Sequence, residues 1–185
     1  MNNKYSLYYK IKSEISLLKK NFFIIDKVYQ DQKFFSLQVL VVTWFGSGLL
    51  KPMSGTWGSI AGLPFALIIL FYGNIYFLLT SILILYWIGI ICIKNYFFKK
   101  FVQDRSEIVI DEVVGIWLAL LFCDMNIIKI TLIFLFFRIF DIYKPWPSRY
   151  FDRKTLSGHS IMLDDICAAI YTILFTEIIW VFYDK

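Results

Sequence analysis

The chain of 185 residues is 59% hydrophobic and only 18% charged, with a mean hydropathy of +0.65. That balance excludes an ordinary soluble domain and, at a length suited to a single domain, points to a polytopic membrane protein. The net charge of +5 does not indicate nucleic acid, because the cations flank apolar segments and form no basic face interleaved with aromatics; the partner they suit is anionic lipid.

Residues 1–33 are polar and Lys-rich and lack the apolar core and small-residue cleavage site of a secretory signal, so they are expected to form a cytoplasmic tail ahead of a membrane domain over 34–185. Segment 34–50 is apolar, but Gly46-Ser47-Gly48 interrupts it, which predicts an interfacial or re-entrant element and not a span. No residue between Lys51 and Lys94 is charged. A hydrocarbon core of about 30 Å takes about 20 residues per helical crossing, so Gly73-Asn74 should divide this stretch into helices over 58–72 and 75–93. Further hydrophobic helices are predicted over 108–123, 127–140 and 163–182, with a turn at Asp124-Met125-Asn126. The fold class is therefore all-α, a polytopic bundle of about five helices. Cys92, Cys123 and Cys167 lie in apolar stretches without metal-ligand spacing and read as small buried hydrophobes.

Five crossings with the N-terminus inside put all but Lys129 and Lys185 of the 19 lysines and arginines on the inner side, as the positive-inside rule requires. The same topology gathers four polar motifs at one interface. These are Ser54-Gly55-Thr56-Trp57-Gly58-Ser59 before the first long helix, Asp111-Glu112 at the start of the third, Asp141 to Lys144-Pro145-Trp146-Pro147 after the fourth, and Asp164-Asp165 opening the fifth. Ionised groups are expensive at the edge of hydrocarbon, so their convergence predicts a shared site.

Carboxylates are hard oxygen ligands, and Mg²⁺ is held by a few of them together with water and phosphate oxygens. Asp111, Glu112, Asp141, Asp164 and Asp165 are the candidate metal ligands. Acids at helix N-termini also complement the helix dipole, but that does not explain Asp141 at a C-terminal end. Lys144 and Arg149 are candidates for phosphate contact, with Arg153 and Lys154 suited to anchoring at the interface. Gly55, Thr56 and Ser59 could offer backbone N–H groups and hydroxyls to the same anion.

In order along the chain, Trp44-Phe45-Gly46-Ser47-Gly48-Leu49, Gly55-Thr56-Trp57-Gly58-Ser59, Ile110-Asp111-Glu112-Val113-Val114-Gly115, Phe137-Arg138-Ile139-Phe140-Asp141-Ile142-Tyr143-Lys144-Pro145-Trp146-Pro147 and Ile161-Met162-Leu163-Asp164-Asp165 resemble the signature of phosphatidylglycerophosphatase A. The resemblance covers about residues 40–170. It implies a Mg²⁺-dependent enzyme of the bacterial inner membrane that hydrolyses phosphatidylglycerophosphate to phosphatidylglycerol and inorganic phosphate; the five-crossing topology turns the shared site to the cytoplasm. It also implies Asp111, Glu112, Asp141, Lys144, Asp152, Asp164 and Asp165 as catalytic residues. One departure is Gly158-His159-Ser160, where Ser160 stands in place of a glycine.

Other phosphatase chemistries are missing from the sequence. No cysteine is followed six positions later by arginine, no Asp-x-Asp pair occurs, and His159 is the only histidine. The competing class is a non-enzymatic transporter or lipid-binding subunit with an acid-lined ion site, for which Glu177, alone within the last helix, would be the marker.

Overall fold

The computed structural model describes residues 36–99, 106–150 and 158–183, and among these it is helical without a strand. The elements are α1 (Leu37–Val42), a 3₁₀ turn (Ser47–Leu49), α2 (Ser54–Tyr72), α3 (Ile75–Lys99), α4 (Ile110–Ala119), α5 (Ile127–Tyr143) and α6 (Gly158–Tyr183). Among the described residues, three helices are long and apolar enough to cross a membrane: α2, α3 as far as Asn95, and α6. Their outer faces are apolar as well, with Ile68 and Phe71, Leu83 and Ile84, and Leu174 and Phe182 exposed. Water would not tolerate such continuous apolar surface, whereas hydrocarbon solvates it.

The five expected hydrophobic helices are thus three long ones, the 17-residue α5 and the 10-residue α4. At 1.5 Å per residue α4 extends about 15 Å, roughly half a hydrocarbon core. Its hydrophobicity has another cause. α4 packs against α2, α3, α5 and α6, and Ile110, Val113 through Trp117 and Ala119 are all buried. A helix that is apolar all round because other helices surround it reads like one surrounded by lipid. The predicted turn after it does occur: the Asn126 side chain caps α5 by accepting from the N–H groups of Ile128 and Lys129.

Two helix starts differ from expectation. α2 begins at Ser54 and not at 58, and α6 begins at Gly158 and not at 163. Glycines are poor helix formers in isolation, so local propensity favours loop at both places. Close packing retains them within helices. A Cβ at Gly58 would lie 2.5 Å from Val109 Cβ, and one at Gly158 would lie 3.0 Å from the Ile90 carbonyl. Tertiary contact therefore decides these positions over local propensity.

Segment 34–50 does not hold a spanning helix within its described part. The six residues of α1 reach only about 9 Å. The chain then reverses through Trp44, Phe45 and Gly46, at φ 44°, 55° and 91°. Val109 N–H donates to the Val42 carbonyl at 3.0 Å, and Gly48 sits so close to the Glu107 carbonyl that a Cβ there would be 2.2 Å from it. The reversal is thereby fastened to the entry of α4.

At the other end of α4, Lys129 is almost wholly buried. Its Nζ lies 3.1 Å from Asp124, 2.9 Å from Glu177 and 3.1 Å from the Phe122 carbonyl, and over the Trp180 ring at 5.5 Å. Glu177, the marker for an ion path, is a partner in this clip, which ties the α4–α5 turn to α6. Replacing Glu177 by Gln should destabilise the protein by about 1–3 kcal/mol, because a buried charged donor loses a partner. Turnover per folded molecule should be unchanged, since the 12 helical residues from Glu177 back to Asp165 span about 18 Å. Thermal unfolding and kinetics in the same detergent decide it; loss of turnover with unchanged stability would refute the structural role.

Candidate active site

The glycine face of α2 brings the acids together. Gly55, Gly58, Ser59 and Gly62 are buried on that helix, and Cβ atoms at Gly58 and Gly62 would collide with Val109 and Val113. With α4 drawn this close, Glu112 lies against the first turn of α2: a Cβ at Gly55 would be 2.3 Å from Glu112 Oε1. Gly115 does the same on the opposite side, where a Cβ would lie 2.6 Å from Phe137 Cζ and 3.1 Å from Asp165 Cβ. Trp117 Nε1, donating to the Gly62 carbonyl at 2.8 Å, fixes the α2–α4 pairing.

The result is a trio of acids from two helices. Asp111, Glu112 and Asp165 each offer a carboxylate oxygen within 4.8 Å of the others. Asp111 Oδ1, Glu112 Oε2 and Asp165 Oδ2 are buried without a hydrogen-bond partner. Asp111 and Glu112 are half-buried as residues, but these oxygens face inward. Burial pushes the Asp111 carboxyl up to about 7, against its hydrogen bond from Glu112 and with the charges of Asp165 and Asp141 adding to the rise. Burial likewise holds Glu112 well above the ordinary range; Asp111 and Asp141 reinforce this and Arg138 opposes it. Several carboxylates in one dry site cannot all ionise unless a cation joins them. The arrangement can hold one.

Asp141 adjoins the trio. It lies in the last turn of α5, within hydrogen-bonding reach of Asp165, and pairs with Arg138 at 2.7 Å. Asp164 turns away from Asp165, as the ~100° step between helical neighbours requires. Its carboxylate accepts from Lys144 Nζ and Ser148 Oγ. Because α6 starts at Gly158, both aspartates lie in its second turn and not at its opening, so the helix dipole does not account for them.

Lys144 caps α5 in the left-handed region, φ 50°, and its N–H donates to the Phe140 carbonyl. The turn between Lys144 and Ser148 is therefore strapped to α6 through Asp164. Arg149 is exposed. At the start of α2, Thr56 Oγ1 is buried without a partner, whereas the N–H groups of Thr56 and Trp57 both donate to the Met53 carbonyl. Ser59 Oγ donates to the Gly55 carbonyl and accepts from Arg138 at 3.4 Å. His159 is exposed beside Tyr86 and Trp87. Asp152, Arg153 and Lys154 lie outside the described residues.

Two residues of the site were not singled out in the sequence. Arg138 had a usable signal, three residues before Asp141 and so on the same helical face. Ser148 had none, because its contact with Asp164 depends on the path of the proline-containing turn.

A family model for Phosphatidylglycerophosphatase A matches residues 40–180. Among curated proteins, the chain is 38% identical over 136 residues to Phosphatidylglycerophosphatase A of Haemophilus influenzae, covering 73% of this chain and 83% of that protein. It is 37% identical over 133 residues to Phosphatidylglycerophosphatase A of Escherichia coli, covering 71% and 76% respectively. No solved structure matches the chain.

Proposed function

The chain belongs to the phosphatidylglycerophosphatase A family and is a phosphatase of phosphate monoesters; from that premise we propose that it hydrolyses phosphatidylglycerophosphate to phosphatidylglycerol and inorganic phosphate, with Mg²⁺ held by Asp111, Glu112 and Asp165. The observation that carries the reading is the set of three buried, unpartnered carboxylate oxygens at one end of a bundle with membrane-crossing helices.

The donor set fits the ion. Asp111, Glu112 and Asp165 present hard carboxylate oxygens, the donor type Mg²⁺ takes. These oxygens lie within 4.8 Å of one another, buried and without a protein donor, and would hold such an ion. When bound, the ion supplies Lewis acidity that offsets charge developing on the phosphoryl oxygens. The protein's own groups do the rest. Water adds to phosphorus as the bond to the glycerol oxygen breaks; a carboxylate of the cluster takes the water's proton, the leaving oxygen takes one from solvent water, and the carboxylate returns its own to solvent. Lys144, at the rim with its ammonium on Asp164, is the cation best placed to meet a phosphate headgroup.

The charge pattern supports a bacterial inner-membrane location with the site facing the cytoplasm. Lys51 lies just before α2 and Lys94 within the C-terminal part of α3, both at the site end, whereas Lys129, one of the two cations outside the inner set, lies toward the opposite end of the bundle. A substrate anchored by its acyl chains then brings its phosphate to the depth of the acids.

Purified protein in mixed micelles should release phosphate from phosphatidylglycerophosphate with higher kcat/KM than from phosphatidic acid, and far higher than from glycerol 3-phosphate. Activity should vanish with a chelator and return with Mg²⁺. Equal efficiency on glycerol 3-phosphate would rule out positioning by the membrane, and full activity in the chelator would rule out the metal.

A further inference from the structure

Among the described residues, two cations pair directly with the acids of the site: Lys144 with Asp164, and a second with Asp141. Arg138 is the other. Its side chain is 13% exposed, as is that of its partner Asp141 one turn later on α5. One guanidinium nitrogen, Nη1, serves both Asp141 at 2.7 Å and the Ser59 hydroxyl of α2 at 3.4 Å. The other, Nη2, lies beside Gly55, 3.1 Å from where a Cβ would stand and on the side where Glu112 arrives. Nε is buried without an acceptor.

Stability does not explain this arrangement. The cost of removing two charges from water cancels much of what a buried ion pair gains, and here one guanidinium donor is left unsatisfied as well. What the pair does provide is direction. A planar fork fastened to a second helix leaves Asp141 little freedom to rotate away from Asp165. Ser59 is itself held by the Gly55 carbonyl at 2.9 Å, so the chain of contacts begins on the α2 backbone.

We propose that Arg138 is a positioning residue for the phosphatase reaction: Ser59 steadies its guanidinium, and the guanidinium holds the Asp141 carboxylate against the acidic trio. The inference rests on the phosphatase reading but not on which lipid is hydrolysed or which ion is bound. Ser59, considered above as a phosphate donor, acts in this arrangement through Arg138.

The test compares Arg138→Gln, Arg138→Lys, Ser59→Ala and the Arg138→Gln/Ser59→Ala double variant with wild type. Turnover per folded molecule is measured on a lipid phosphomonoester in micelles, with folding checked by size exclusion in detergent. Loss of such an orienting partner typically lowers activity about 10–100-fold. Arg138→Gln should show that loss in kcat, with KM changed by no more than about twofold. Arg138→Lys should recover part of it, because an ammonium still reaches one carboxylate oxygen. Ser59→Ala should show a smaller loss, and the double variant should be no slower than Arg138→Gln, since the two residues act in series. A raised KM with intact kcat would overturn the proposal by making Arg138 a direct substrate contact, as would independent, additive losses for the two residues. If Arg138→Gln fails to fold, wild-type kcat in both Arg138→Lys and Ser59→Ala overturns it equally. Wild-type turnover is the separate check: inactivity there on every lipid phosphomonoester would fault the phosphatase reading itself.

Discussion

Asp165→Asn should lower kcat by about 10²-fold or more while the protein still inserts and folds. The substitution preserves volume but removes the one acid of the trio contributed by α6, whose Oδ2 has no protein partner. Removing an outer-shell partner of a ligand already costs about 10–100-fold, so removing a ligand should cost at least that much. Asp164→Asn should also impair the enzyme, but by a different route. It weakens the contacts to Lys144 and Ser148 that strap the proline turn to α6. Phosphate release across a Mg²⁺ titration separates the two: Asp165→Asn should need more Mg²⁺, whereas Asp164→Asn should keep the wild-type midpoint at reduced turnover. Near-normal turnover of Asp165→Asn throughout the titration would dispose of the metal site.

Gly55→Ala should cost activity without costing the fold, a result expected of very few helical glycine-to-alanine changes. Alanine favours a helix over glycine by about 1 kcal/mol. Its Cβ, however, would lie 2.3 Å from Glu112 Oε1 and 3.1 Å from Arg138 Nη2. The Glu112 carboxylate, the nearer of the two, ends a flexible side chain that can swing aside, while the Arg138 guanidinium need give only a few tenths of an ångström, so the helices stay packed while Glu112 leaves the trio. A loss of about 10–100-fold in kcat with an unchanged or raised Tm is the expected outcome. Gly115→Ala is the contrast. Its Cβ would meet the Phe137 ring at 2.6 Å, and Phe137 is fully buried and cannot yield. Overpacking there should destabilise by about 1–3 kcal/mol. Wild-type kinetics for Gly55→Ala would show that Glu112 has no fixed place in the reaction.

The same glycines mark where sequence reading succeeds and where it stops. Gly73-Asn74 was legible as the break between α2 and α3 because both residues are exposed and their close neighbours are local, Ile69 and Phe77; the Asn74 side chain accepts from the Phe77 N–H at the head of α3. Gly55 and Gly58 looked like loop for the same local reason, and they are helical because α4 lies against them. α4 itself was legible as an apolar helix. Its length and its central position were not, since burial by protein and burial by lipid leave the same composition.

Sequence alone determined the class of molecule, its helices, the turn at Asp124-Met125-Asn126 and the acids worth watching, because apolar run length, charge position and motif order are properties of the chain taken locally. The partition among those acids was settled only by tertiary structure. Asp111 and Glu112 meet Asp165 because glycines on α2 and α4 let the helices close; Asp164 faces Lys144 and Ser148 because adjacent helical residues point about 100° apart; and Arg138 joins them because Ser59, distant in sequence, lies across from it on α2. Direction and distance between elements depend on how side chains interlock. No single segment carries that information.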